Sequence, residues 1–150
     1  NYNLPIHSLK GCKNSLLRIQ SADFKFIHGL LYQNAHHHSK KFFFTHHTGK
    51  DAYVIVYRIK NHPNYADDAS TYAYTHMFIS DNPSYLITTN LYHKSPSYCS
   101  KYVYLAYYWG ATKNSVYYHK YNTYIVTPHS LVPEFRASFA PSAIHKVTKY

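Results

Sequence analysis

The stretch Ser80-Asp-Asn-Pro-Ser-Tyr-Leu-Ile-Thr-Thr-Asn-Leu-Tyr92 aligns without gaps on Ser138-Phe-Ala-Pro-Ser-Ala-Ile-His-Lys-Val-Thr-Lys-Tyr150, at a constant offset of 58 positions. Ser80 matches Ser138, Pro83 matches Pro141, Ser84 matches Ser142, Leu86 matches Ile144 and Tyr92 matches Tyr150. A third segment, Ser21-Ala-Asp-Phe-Lys-Phe-Ile-His-Gly-Leu-Leu-Tyr32, follows the same pattern. Recurrence at a fixed period is the signature of a repeat architecture, and each copy has the same local logic: a short apolar strand, a polar turn, then a second strand ending in Tyr.

Working outward, Leu16-Leu17-Arg18-Ile19, Met77-Phe78-Ile79 and Glu134-Phe135-Arg136 precede the three turns as candidate strands. A second hairpin follows the first two copies, from Lys40–Phe44 to Tyr53–Tyr57 and from Lys101–Tyr104 to Val116–Tyr118, with Gly49 and Gly110 at the turns. Glycine suits such turns because positive φ costs it little. Nineteen Tyr and eight Phe, with many Val, Ile and Thr, favour pleated strands. The spacing therefore predicts an all-β single domain over residues 1–150, with three pseudo-repeats of about 58 residues, the third incomplete.

This arrangement resembles the β-trefoil. Ser-x-Asp-x-Lys-Phe-Ile-His and Ser-Asp-Asn-Pro-Ser-Tyr-Leu-Ile resemble repeats of the arabinose-binding trefoil module, and His28-Gly29-Leu30-Leu31-Tyr32 is similar to a strand of growth-factor-like trefoils. The third copy lacks its second hairpin, for which Leu4–Leu9 would supply one closing strand. A competing reading makes Asn14 to His28 a helix leading into a sheet, although Leu17/Ile19 and Phe24/Phe26 alternate as strands do.

Sixteen Lys and Arg against six acids give a net charge of +10, which attracts phosphate, sulfate and anionic glycan surfaces. No apolar run is long enough to span a bilayer. The chain opens at Asn1 without Met, as a secreted chain would after signal removal. Cys12 and Cys99 are expected to form one disulfide in an oxidising compartment.

The function expected from these features is a secreted, non-enzymatic, lectin-like module for glycans or sulfated polysaccharide. Sugar recognition uses flat aromatic faces beside hydrogen-bonding groups. One site per repeat, as the trefoil resemblance implies, nominates Asp23, His28 and Tyr32, then Asp81, Tyr85, Tyr92 and His93, then His145 and Tyr150, with Trp109 as a stacking platform. Lys40, Lys41, Lys101, Lys113 and Lys120 form the expected polyanion-binding set, as in heparin-binding trefoils.

A cytokine-like or effector ligand for a protein receptor, with contacts on a loop from Asn61 to Ala73, is the second expectation. A small ribonuclease is the third, since His119-Lys120-Tyr121-Asn122 resembles a base-recognition loop of guanyl-specific ribonucleases and His119 and Glu134 would be its acid–base residues. His28-Gly29, Gly49-Lys50 and Thr123–Val126 also fall in the order of polymerase-type ADP-ribosyltransferases, with Thr123 where the catalytic Glu would stand. Asp67-Asp68 reads as a solvated turn rather than a glycosidase pair. His36-His37-His38 and His46-His47 read as exposed polar loop, because neighbouring strand positions face opposite ways; no metal or other cofactor is expected.

Overall fold

In the computed structural model the described residues are the strand backbones of 6–8, 17–19 and 36–38, Thr45, Thr48, and residues 53–81 and 84–149. They form a mixed α/β structure. β1 (Ile6–Ser8) pairs antiparallel with β3 (His36–His38), and β2 (Leu17–Ile19) pairs parallel with β4 (Val54–Arg58). β5 (Ser142–Val147) completes a three-stranded sheet in the order β2-β4-β5, antiparallel to β4, with an irregularity between Val56 and Tyr57. Val54 and Val56 point one face of β4 into the core, where burial of each contributes roughly 1.5–3 kcal/mol.

Two helices overturn the trefoil expectation. α1 (Asn64–Tyr72) runs directly into a π-helical segment, Ala73–Ile79, and α2 (Cys99–Leu105) runs into another, Ala106–Ala111. The expected loop from Asn61 to Ala73 is thus mostly helix. Its buried positions Ala66, Ala69, Ala73 and Met77 recur at spacings of three and four, the period of a helical stripe. Met77-Phe78-Ile79 and Lys101–Tyr104, read above as strands, lie in these helices. Asp67 and Asp68 lie on α1 rather than in a turn, and His36–His38 is strand rather than loop.

The matched repeat positions adopt unlike structures. Ser80 ends the first helix and its hydroxyl donates to Thr75 O at 2.7 Å, whereas Ser138 lies in a 3₁₀ turn, Ala137–Phe139. Leu86 belongs to an irregular segment and Ile144 to β5. No three-fold relation of hairpins follows from these elements. The constant offset reflects a chain rich in Tyr and Ser rather than a triplicated unit.

Gly110 is not at a hairpin turn. It lies where the second helix crosses α1, and a Cβ there would press on Tyr72 Cβ, 3.0 Å from Tyr72 Cγ and 3.1 Å from Ala69 Cα. Glycine is needed for close approach of two helices. Around this crossing Ile59, Met77, Leu91, Leu105, Val116, Leu131 and Phe135 make the core. Buried tyrosines are admitted because their hydroxyls are met: Tyr102 donates to Ala73 O at 3.0 Å and Tyr104 to Tyr117 O at 2.6 Å.

Candidate functional site

The start of α2 is held by hydrogen bonds from several segments. Tyr98 precedes it in extended conformation, φ −144° and ψ 166°, so the chain turns into the helix at Cys99. The first helical hydrogen bond is from Tyr102 N to Tyr98 O at 2.8 Å, and no side chain caps the end. First-turn amides of a helix have no acceptor within it, and the end carries partial positive charge.

Cys99 is half-buried there, its Sγ 4.0 Å from Ser100 Oγ. Cys99 is a thiol, so the expected bridge to Cys12 is not formed. Its neighbours anchor it on both sides. Ser100 Oγ donates to Val126 O at 2.6 Å, and Val126 N donates to Tyr98 Oη at 3.1 Å. Ser97 N donates to Ser84 O at 2.9 Å and Leu86 N to Ser97 O at 3.0 Å, which pins the approach to the helix. Lys101 Nζ donates to Pro96 O at 2.8 Å. The positions flanking Cys99 are therefore fixed by the 84–86, 95–97 and 126 segments.

Burial leaves its mark on the titrating groups. Lys101 is fully buried and its amine is pulled down to about 8 by loss of hydration. Tyr98 is pushed up to about 12, chiefly by burial, with the Val126 amide acting the other way. Tyr107, wholly enclosed, is raised well above its ordinary range by burial and by the charge of Asp67.

A second polar cluster lies beyond the helix. His119 Nε2 and Glu134 Oε2 are 2.7 Å apart, and the His119 ring stacks on Tyr124 with centroids 3.9 Å apart. His119 N donates to Tyr92 Oη at 2.7 Å, and Tyr92 and Tyr104 share a hydroxyl contact of 3.3 Å. The structure thus brings together the His119 and Glu134 named for the ribonuclease reading, and adds Tyr92.

The remaining nominated residues are dispersed. Asp81 is ion-paired with Lys94 at 2.8 Å, Tyr85 bridges to Ser97, and His93 is exposed. His145 sits on β5, exposed, and Trp109 is 40 % exposed at the far end of the second helix. Of the expected polyanion set, Lys101 is buried, so it is no part of a surface, while Lys113 and Lys120 are exposed. Cys12, Asp23, His28, Tyr32, Lys40, Lys41 and Tyr150 lie outside the described residues, as do the side chains of His36–His38. No group of three or more His, Cys, Asp or Glu suited to a metal occurs among the described residues.

Sequence reasoning missed Cys99 as a thiol because it was assigned to a disulfide. Nothing in the local sequence around Cys99 signals its thiol state, which depends on where Cys99 lies in the fold.

Comparison with known proteins places the chain in a family. The chain belongs to the LnsA-like lipoprotein N-acylation protein family, whose model matches residues 15–146. It is also similar to an uncharacterised 30.3 kDa protein of Bacillus thuringiensis, 32% identical over 104 residues, covering 65% of this chain and 37% of that protein. The chain therefore spans little more than a third of the length of that curated relative. No solved structure matches it. The family description concerns lipoproteins, whose lipid holds them at a membrane; no helix among the described residues is long and apolar enough to cross one.

Proposed function

We propose that the protein transfers an acyl chain to the amine of a lipoprotein, with Cys99 as the nucleophile. The observation that carries this reading is the anchored thiol at the first position of α2, in a chain of the N-acylation family. In the first step the Cys99 thiolate attacks the carbonyl of an ester-linked acyl donor; a C–S bond forms, the ester C–O bond breaks, and the alcohol leaves with a proton. In the second step the lipoprotein amine attacks the thioester, the amide C–N bond forms, and the C–S bond breaks to return the thiol. On this reading the oxyanion of each step needs hydrogen-bond donors beside Cys99.

A thiol needs a base to reach its nucleophilic form. Thirteen histidines are available, seven of them before Thr48, and His119 is held by Glu134 within the described region. An extracytoplasmic, membrane-facing location accords with the expectation of secretion and with a lipoprotein substrate.

The test is incubation of the protein with vesicles of isotope-labelled glycerophospholipid, followed by intact and peptide mass analysis. An acyl adduct on the peptide containing Cys99, released by neutral hydroxylamine and absent from Cys99→Ala, is expected. An adduct that persists in Cys99→Ala, or absence of both adduct and acylated lipopeptide, would overturn the proposal. His119→Ala in the same assay tests whether the Glu134-held imidazole is the base. Glycan or anionic polysaccharide binding is a second reading, favoured by Lys113 Nζ standing 4.7 Å from the ring of exposed Trp109; heparin binding tests it.

A further inference from the structure

The charge of this chain is distributed unevenly. Between Asp81 and Glu134 there is no acidic residue, and none follows Glu134. Glu134 itself is buried and joined to His119, so the whole stretch from 82 onward presents no described carboxylate to solvent. Of its seven cations, Lys94 is paired with Asp81, Lys101 is buried and Lys146 and Lys149 lie on and just after β5, whereas Lys113, Lys120 and Arg136 are exposed near the second helix's end and the segments after it and face no carboxylate among the described residues.

Each of these three cations sits against an exposed aromatic ring. Lys113 Nζ is 4.7 Å from the Trp109 centroid, Lys120 Nζ is 5.7 Å from that of Tyr121, and Arg136 Cζ is 5.8 Å from that of Tyr117. The four tyrosine and tryptophan side chains Trp109, Tyr117, Tyr118 and Tyr121 are between 40% and 72% exposed. Trp109 meets Tyr108 edge-on at 4.7 Å, and Tyr108 stacks on Tyr118 at 6.5 Å, so the Trp109 and Tyr118 ends of this surface are joined through rings. Asp67 and Asp68 stand on α1, and Asp67 acts on the buried Tyr107.

Exposed Trp and Tyr alternating with unneutralised Lys and Arg have the composition that favours the headgroup zone of a bilayer. The rings are amphipathic and settle at that depth, and each cation gains about 1 kcal/mol near an anionic lipid surface. We infer that the 109–121 segment with Arg136 is a peripheral docking surface for an anionic phospholipid bilayer. This rests on the reading of lipoprotein acylation, which needs a substrate and an acyl donor that both reside in a membrane; the surface brings the α2 helix to that membrane.

The single Trp of the chain lies in the surface, so its own fluorescence reports docking. The protein, its Cys99→Ala variant, a Lys113→Gln/Lys120→Gln/Arg136→Gln triple variant and Tyr118→Ser/Tyr121→Ser are titrated with vesicles of phosphatidylcholine alone and of phosphatidylcholine mixed with phosphatidylglycerol. Expected results are a blue-shifted Trp109 emission and co-sedimentation with the anionic vesicles only, both weakened by salt. The triple variant should bind on the order of a hundredfold more weakly at unchanged circular dichroism. Cys99→Ala should bind like the parent, so failure of the chemistry and failure of docking are read separately. Equal binding to both vesicle types, no vesicle binding, or parent-like binding by the triple variant overturns the inference. Heparin binding without vesicle binding overturns it in favour of a soluble polyanion.

Discussion

Glu134, 5% exposed, holds its Oε2 2.7 Å from His119 Nε2, while the hydroxyl of Tyr124 also hydrogen-bonds this carboxyl. The pair links the segment after α2 to the segment before β5, across a sequence separation of fifteen residues. Val116 bridges to Phe135 beside it, and Tyr117 N donates to Glu134 O at 2.8 Å. We expect Glu134→Ala to lower stability by roughly 2–3 kcal/mol, because His119 and Tyr124 lose a charged partner together. Urea unfolding measures it, and a change below about half a kcal/mol would show that the pair is dispensable.

Tyr104 offers a gentler probe of the same network. Its hydroxyl donates to Tyr117 O at 2.6 Å and meets Tyr92 Oη at 3.3 Å. Tyr104→Phe keeps the ring and leaves the Tyr117 carbonyl unmet, at a cost of about 1–3 kcal/mol in the same unfolding experiment.

Gly110→Ala tests the helix crossing. The added methyl would press on Tyr72 Cβ, and Tyr72 Cγ and Ala69 Cα leave it little room. A loss of roughly 1–3 kcal/mol is expected, as for other overpacked sites, with a lower thermal midpoint by calorimetry. A neutral result would show that α1 yields at this point.

The pH dependence of stability has a defined sign at high pH. Lys101 holds its proton to about 8 in the fold against an ordinary 10.5. The unfolded chain therefore binds more protons between those values, and stability rises with pH across that window. Tyr98 acts in the opposite sense above it: the fold keeps its proton to about 12 against an ordinary 10.0, so stability falls as pH climbs from 10.0. Urea midpoints measured from pH 8 upward should pass through a maximum near pH 10, and Lys101→Met should flatten the rising limb while leaving the falling one.

Cys99 should react with a maleimide in the native protein without prior reduction, since it is a thiol and half-buried rather than enclosed. Peptide mapping after labelling checks this. A Cys99 peptide recovered unlabelled and disulfide-linked would contradict the structure.

Some of this was legible beforehand. Leu17–Ile19 and Val54–Arg58 are strands, as their alternation and β-branched content suggested. Yet β2 and β4 run parallel, so they are not arms of successive hairpins. The α2 helix was illegible for a physical reason. Lys101 to Tyr108 is buried at every position but Val103, so there is no polar face to mark a helical period. Its Tyr and Val content then imitates a strand. The α1 stripe at Ala66, Ala69, Ala73 and Met77 was readable, but small alanines carry a weak hydrophobic signal beside Asp67, Asp68 and Ser70.

What the residues alone determined is the charge: sixteen cations against six acids, with one acid after Asp81, hold whatever the chain's conformation. Helix or strand at Lys101–Tyr108, the thiol state of Cys99, and the meeting of His119 with Glu134 were decided by tertiary structure. Each depends on partners far away in sequence, such as Val126 for Tyr98 and Ser100, and on burial, which creates no pattern that a linear reading detects.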